Sequence, residues 1–199
     1  MTQKDFESRF RGGIFGLAVG DALGVAVEFR SREEVARNPV TGMRGHGTHN
    51  QPAGTWSDDT SLSLCLLEGL AKGMTLKEVA ELFVAWMEEG YWTPHGHVFD
   101  IGQATREALT RIEDFPEDPR EAGLTTEWSN GNGSLMRTLP VALMNPQATP
   151  EEMARLAHDY SHLTHGHPRS LMACGIYCDL VRRIIQGKQP AEAWEDTRQ

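Results

Sequence analysis

The sequence predicts an all-α fold, and three observations carry that prediction. Apolar residues recur at helical spacing along almost the whole chain, and no segment alternates as a strand would. Helix-start and helix-stop residues punctuate the chain repeatedly. At 199 residues, 39% hydrophobic and 24% charged, it is long and apolar enough for one domain with a substantial core.

Residues 5–27 read as the first helix. Gly12, Gly16, Gly20 and Gly24 recur every four residues along it and form one slowly drifting stripe. Glycine costs about 1 kcal/mol in a helix interior. Four in register therefore predict the close approach of another backbone or of a ligand. Asp21 lies inside this apolar helix, where a carboxylate is costly unless paired or used. It either caps a neighbouring helix end or loop, or belongs to a site. Glu28 follows two turns later on the same face, at the helix exit, where a general base or a metal ligand could stand.

Residues 38–56 form a polar, Gly-rich, His-containing loop. Ser57 is the N-cap of a second helix that runs through Lys72 and stops at Gly73. Thr75 and Glu78 make a capping box for a third, ending near Gly90. Asp100 and Gln103 resemble the same device for a fourth, over 101–112. Residues 113–132 read as a loop rich in proline, glycine and acids. Thr149 and Glu152 cap a fifth helix, Pro168 opens a sixth that Gly187 closes, and Pro190 starts one more.

The formal net charge of -9 disfavours a phosphate backbone as partner, so no nucleic-acid binding is expected. A small anion held by backbone amides or a metal stays compatible with it. Cys65, Cys174 and Cys178 fit neither a disulfide framework nor a zinc ribbon and read as buried thiols. The N-terminus lacks the apolar stretch of a signal peptide. The longest apolar run, IFGLAVGDALGVAVEF, is too short and too polar to span a bilayer. A cytoplasmic protein without membrane contact is the expectation.

Four segments could carry chemistry. Ser57-Asp58-Asp59-Thr60 opens a helix, where carboxylates suit the positive end of the dipole. The same cluster offers hard oxygen ligands of the kind Mg²⁺ and Mn²⁺ take. Asp21 and Glu28 form the second segment. Asn130-Gly131-Asn132-Gly133-Ser134 is a turn former that also presents successive backbone N–H groups to an anion. His158, His162, His165 and His167 invite a metal assignment, yet His162 and His165 straddle a helix end. His158-Asp159 resembles the pair of all-helical metal phosphohydrolases.

GDALGVAVEF (20–29), TWSDDTSLSL (55–64), FDIGQAT (99–105), SNGNGSLMR (129–137) and SHLTHGHP (161–168) occur in this order. From Phe10 onward the chain resembles the ADP-ribosylglycohydrolase family, including the bacterial enzymes that remove ADP-ribose from arginine of dinitrogenase reductase. The resemblance implies a multi-helix orthogonal bundle with two Mg²⁺ or Mn²⁺ ions at its mouth. It implies that Ser57, Asp58 and Asp59 are metal ligands and that Glu28 is an active-site carboxylate beside the metals. It places Asp100 near the scissile linkage, has Gly131, Asn132, Gly133 and Ser134 cradle the diphosphate, and lets His165 line the pocket. The catalytic residues implied are Glu28, Asp58 and Asp100. The partner implied is an ADP-ribosylated protein or a small ADP-ribose conjugate, with an arginine N-glycosidic linkage preferred.

The family closes its metal site with a later Asp-x-Asp-Ser/Thr motif that residues 1–199 do not contain. Glu195-Asp196-Thr197 is the only late candidate, and it lacks the second aspartate. The expectation is therefore one incomplete domain over 1–199, resembling about the first two thirds of a full one. The apolar faces of helices 57–72 and 168–187 would then be exposed. A complete domain is expected to be a monomer and a truncated one to self-associate. Two other functions stay open: a catalytically impaired ADP-ribose-binding or structural module, and a His-Asp metal phosphohydrolase.

Overall fold

In the computed structural model, which describes residues 2–115 and 117–198, the capping signals place most of the helix boundaries. The described residues form nine helices: α1 (Gln3–Gly24), α2 (Arg32–Arg37), α3 (Asp58–Lys72), α4 (Leu76–Glu89), α5 (Gln103–Thr110), α6 (Leu139–Met144), α7 (Pro150–His162), α8 (Pro168–Ile185) and α9 (Pro190–Thr197). Three short 3-10 turns lie between α5 and α6. Among the described residues the only β pairings are two isolated bridges, His46 with Gln51 and Leu124 with His165. The all-α expectation is met.

The capping boxes at Thr75–Glu78 and Thr149–Glu152 form as the sequence predicts, and Gly73 and Gly90 end α3 and α4 in the left-handed conformation. The third predicted box does not form. Gly102, not Asp100, is the N-cap of α5, and no side chain caps it. Asp100 instead adopts φ 57 and turns away from the helix. α2 and α6 are absent from the sequence reading, because six-residue helices are too short for a 3.6-residue period to register.

The core forms where the apolar faces of α3, α4, α6, α7 and α8 meet. Leu62, Cys65 and Leu66 of α3 pack with Phe83 and Trp86 of α4, Val141 of α6, Met153 of α7 and Cys174 of α8. All three cysteines are free and buried, as expected. α1 docks through one edge only, where Phe6, Phe10, Ile14 and Leu17 pack on Leu139, Leu143 and Ile185. Its opposite edge carries the glycine stripe. A Cβ at Gly12, Gly16, Gly20 or Gly24 would meet nothing within 4 Å. The predicted close approach of a backbone is therefore not found; the stripe faces open space beside exposed Phe15 and Val19. The large apolar residues of α3 are covered, contrary to expectation, whereas α8 leaves Met172 and Ile176 exposed. No helix among the described residues is long and apolar enough to cross a membrane.

Candidate active site

The N-terminus of α3 builds the site, and a residue of α1 organises it. Ser57 holds the N-cap position of α3 but makes no side-chain cap to its own helix. The Asp21 carboxylate does that work. It accepts hydrogen bonds from Ser57 N (2.9 Å), Ser57 Oγ (2.8 Å), Thr60 N (3.1 Å) and Thr60 Oγ1 (2.6 Å). One carboxylate thus satisfies helix-start donors that would otherwise be orphaned. This is the capping alternative for Asp21, and it explains a charge inside an apolar helix.

With capping supplied by Asp21, Asp58 and Asp59 are released from that duty. Asp58 is buried, and burial pushes its carboxyl up to about 8, with repulsion from Asp59, Asp100 and Asp21 adding to the rise. Burial, and then Asp21, raise Asp59 to about 6. Asp100 rises to about 7, through burial first and then through its hydrogen bond to Glu28. Five carboxylates (Asp21, Glu28, Asp58, Asp59, Asp100) converge on this mouth. Among the described residues no lysine or arginine makes an ion pair with any of them.

A cavity of about 450 Å³ opens here, lined among others by Gly20, Asp21, Gly24, Glu28, Ser57 and Asp59. α1 ends at Gly24, so Glu28 stands on the turn that follows rather than on a continuous helical face with Asp21. Both nevertheless line this one cavity. The donor set of carboxylates and one hydroxyl suits a divalent hard cation. A further cluster was not legible in the sequence. Glu28, His49 and Asp100 each offer one ligand atom, all within 4.8 Å of one another. The 38–56 loop signalled a histidine near glycines, but nothing in the sequence paired His49 with carboxylates 21 and 51 positions away.

The Asn130–Ser134 loop precedes Met136, which lines the same cavity. Gly131 and Asn132 are exposed and the Ser134 side chain is buried. The Ser134 hydroxyl accepts from Ser161 Oγ at 2.8 Å and lies 3.5 Å from Cys174 Sγ. Gly133 rests on the imidazole of His165; a Cβ there would stand 2.7 Å from His165 Cε1 and 3.0 Å from Thr105 Oγ1. His165 is itself buried, bonds Thr164 Oγ1 through Nδ1 at 2.7 Å, and is pushed down to about 4 by burial and by Arg137, so it is neutral at pH 7. Arg137 is the anchor beneath. It is 1% exposed and has no carboxylate partner; it donates to Gly133 O (2.5 Å) and Thr164 Oγ1 (2.7 Å), and its guanidinium lies over the Phe83 ring.

The remaining histidines do not converge with other metal-capable groups among the described residues. Asp159, the partner implied for a His-Asp centre, is held by Arg120 at 2.9 Å and Arg155 at 3.5 Å. Asp196 pairs with Lys188 and Arg183, and Thr197 Oγ1 donates to Asp179, which fixes the late Glu195-Asp196-Thr197 segment on α8.

A sequence model of the family described as ADP-ribosylglycohydrolase matches residues 2–199. The chain is 30% identical over 186 residues to an ADP-ribosylarginine hydrolase of Serratia proteamaculans, covering 92% of this chain and 49% of that protein. It is 31% identical over 192 residues to the ADP-ribosyl-[dinitrogen reductase] glycohydrolase of Rhodospirillum rubrum, covering 94% and 62%. The chain thus spans about half to three fifths of the length of these relatives. A solved structure described as an ADP-ribosylglycohydrolase-related protein complex superposes with a TM-score of 0.80 at 35% identity, covering 98% of this chain and 62% of that one. The match extends over nearly every residue and the helical architecture agrees with it: the chain belongs to the ADP-ribosylglycohydrolase family.

Proposed function

We propose that this chain forms the catalytic mouth of a hydrolase that removes ADP-ribose from an acceptor, with the arginine N-glycosidic linkage preferred. The observation that carries the reading is that Asp21, Glu28 and Asp59 line one cavity, with Asp58 and Asp100 close enough to repel them, and that among the described residues no lysine or arginine pairs with any of the five. Such a set is costly unless a cation arrives with the ligand. The activities for which the Serratia and Rhodospirillum relatives are named support the same reaction.

Ser57, Asp58 and Asp59 are the residues that would hold Mg²⁺ or Mn²⁺, two ions in a complete domain. A bound ion of this kind supplies Lewis-acid polarisation and a lowered pKa for water. The chain's own residues do the rest. Glu28, half-buried at the cavity rim, accepts the proton of the attacking water. Asp100 pairs with the cationic guanidinium of the bound substrate; when the C–N bond breaks its electrons go to nitrogen, and the departing neutral guanidine takes up the proton that Glu28 removed from water. The N–H groups of Gly131, Asn132, Gly133 and Ser134 bind the diphosphate, the Ser134 hydroxyl being already committed inward. Neutral His165 lines the pocket beneath Gly133 without adding a charge. Three reduced cysteines favour a cytoplasmic setting.

The test is release of ADP-ribose from an arginine-ADP-ribosylated protein, with Mn²⁺ and with chelator. Equal rates in both would sink the metal-dependent mechanism. One observation favours a second reading, that of a module which binds ADP-ribose without cleaving it: Asp58, raised to about 8 by burial, must give up a proton before it can hold a cation. Calorimetric binding of ADP-ribose without turnover would select that module.

A further inference from the structure

His49 lies between the two carboxylates assigned above to proton transfer and to the leaving group. Its Nε2 is 2.7 Å from Glu28 Oε2 and 3.7 Å from Asp100 Oδ2. Its ring is flanked on both sides, by Phe99 with centroids 5.4 Å apart and by Phe29 at 6.0 Å. The loop that carries it is fastened to the end of α1. Thr48 N donates to Ala26 O at 3.3 Å, and Thr48 Oγ1 donates to Glu28 O at 2.7 Å. Gly47 has φ 45, and a Cβ there would overlap the Ala26 carbonyl oxygen. Only glycine permits this approach.

A second observation is independent of the hydrogen bonds. Among the described residues five non-glycine positions have positive φ: Phe29, His46, Asn50, Trp92 and Asp100. Four of these five are on the segments that meet at His49. Phe29 follows Glu28, His46 and Asn50 bracket the loop, and Asp100 is the second carboxylate. For a bulky residue such as phenylalanine this conformation is strained, and it persists only where the surroundings over-determine it. Strain gathered from three separate segments around one imidazole marks a constructed geometry.

We propose that His49 is a positioning residue whose Nε2–H holds the Glu28 carboxylate at the point of the mouth that Asp100 also approaches. The bond to Glu28 turns Oε2 toward the ring and leaves Oε1 for the incoming water. Asp100 Oδ2 lies 3.7 Å from Nε2, beyond hydrogen-bond distance but beside Glu28, so that proton acceptance and the guanidinium contact fall on the two sides of one bond. His49 touches neither substrate nor the reacting atoms. This assignment deepens the proposed hydrolase reading and rests on it for its catalytic consequence, not for its geometry.

The experiment therefore has two arms on the full chain. In the first, long-range ¹⁵N–¹H spectra of the histidine rings report which nitrogen carries the proton. His49 is expected to carry it on Nε2, and Glu28→Gln is expected to shift that resonance. An Nδ1–H tautomer, or a spectrum indifferent to Glu28→Gln, overturns the proposal whether or not the chain turns over substrate. Selective broadening of the His49 ring by substoichiometric Mn²⁺ also overturns it, because His49 would then be a ligand. In the second arm His49→Phe keeps an aromatic wedge between Phe29 and Phe99 but deletes the donor, and His49→Gln restores an N–H near the Nε2 position. Expected is a kcat about 10- to 100-fold lower for His49→Phe with KM little changed and an unaltered melting temperature, and partial rescue by His49→Gln. Wild-type kcat in a folded His49→Phe protein overturns the proposal. A wild-type chain without any turnover counts against the hydrolase reading and leaves the first arm to decide.

Discussion

Two walls within the fold, the start of α3 and the packing beneath the Asn130–Ser134 loop, handle buried charge in opposite ways. On the loop wall a single cation, Arg137, is fully enclosed, yet carbonyls, a hydroxyl and an aromatic face surround its guanidinium. It falls only to about 10 and stays charged at neutral pH. On the α3 wall Asp58 and Asp59 have few donors, and each other's charge nearby, and they rise to about 8 and about 6. One wall is finished by folding and the other is left in electrostatic debt. Stability and function are therefore expected to separate: changes to the loop wall should cost folding energy, and changes to the acidic wall should cost activity while relieving the fold.

The largest effect should come from Asp58→Asn. Loss of metal-dependent ADP-ribose release by at least about 100-fold is expected, together with a higher melting temperature of the metal-free protein at pH 8. The folded carboxyl of Asp58 is raised above 3.8, so folding favours its protonated form. That stability is complete below about pH 4 and is lost as pH rises through about 6 for Asp59 and about 8 for Asp58. Each tenfold change in acidity between the unfolded and folded chain is worth about 1.4 kcal/mol, so the Asp58 contribution is on the order of a few kcal/mol. Thermal melts of the metal-free protein from pH 4 to 9 should slope downward, and Asp58→Asn should flatten the slope. A flat wild-type profile would break the contrast between the walls.

Arg137→Met comes next. It removes the side-chain donor to Gly133 O and Tyr160 O in the interior, leaving Thr164 Oγ1 only its bond to His165, and should cost about 3 kcal/mol in urea unfolding. A stability equal to wild type would mean that the cation is as unrelieved as the carboxylates opposite. Asp21→Ala removes a carboxylate that satisfies four donors at the start of α3, but it also removes a repulsive neighbour of Asp58 and Asp59. A net loss of about 1–2 kcal/mol is expected at pH 8, and a larger one at pH 5, where less repulsion remains to be relieved. Loss that is independent of pH would assign Asp21 to capping alone. Gly133→Ala should have the smallest effect on folding, about 1 kcal/mol, because His165 must shift to admit the methyl group. Its sharper readout is weaker calorimetric binding of ADP-ribose, and undiminished affinity would remove the loop from the ligand site.

Several parts of this arrangement were legible in the chain before folding. Ser57-Asp58-Asp59 announced a helix start, which the structure contains, and a third residue, Asp21, supplies the capping that leaves Asp58 and Asp59 free of it. Asp21 was recognisable as a charge that needed a partner, but its partner 36 residues away was not. Arg137 attracted no attention, since one arginine after a glycine loop has no local signature. His49 was visible only as a member of a His-containing loop. The glycine stripe meets no backbone, and two of its members, Gly20 and Gly24, line the cavity instead: helical spacing reports which residues share a face and says nothing about what covers that face.

The sequence by itself determined the helical period, the caps and stops that bound most helices, and the ordered segments that identify the family. These are local properties: a side chain three or four residues from its partner finds it in any helix. Only the tertiary structure decided that Asp21 would cap α3, that Arg137 would lie buried without an acid, and that His49 would meet Glu28 and Asp100. Each of these depends on groups distant in sequence being desolvated together, and the energy of a buried charge is set by whichever neighbours the packed helices bring within a few ångströms.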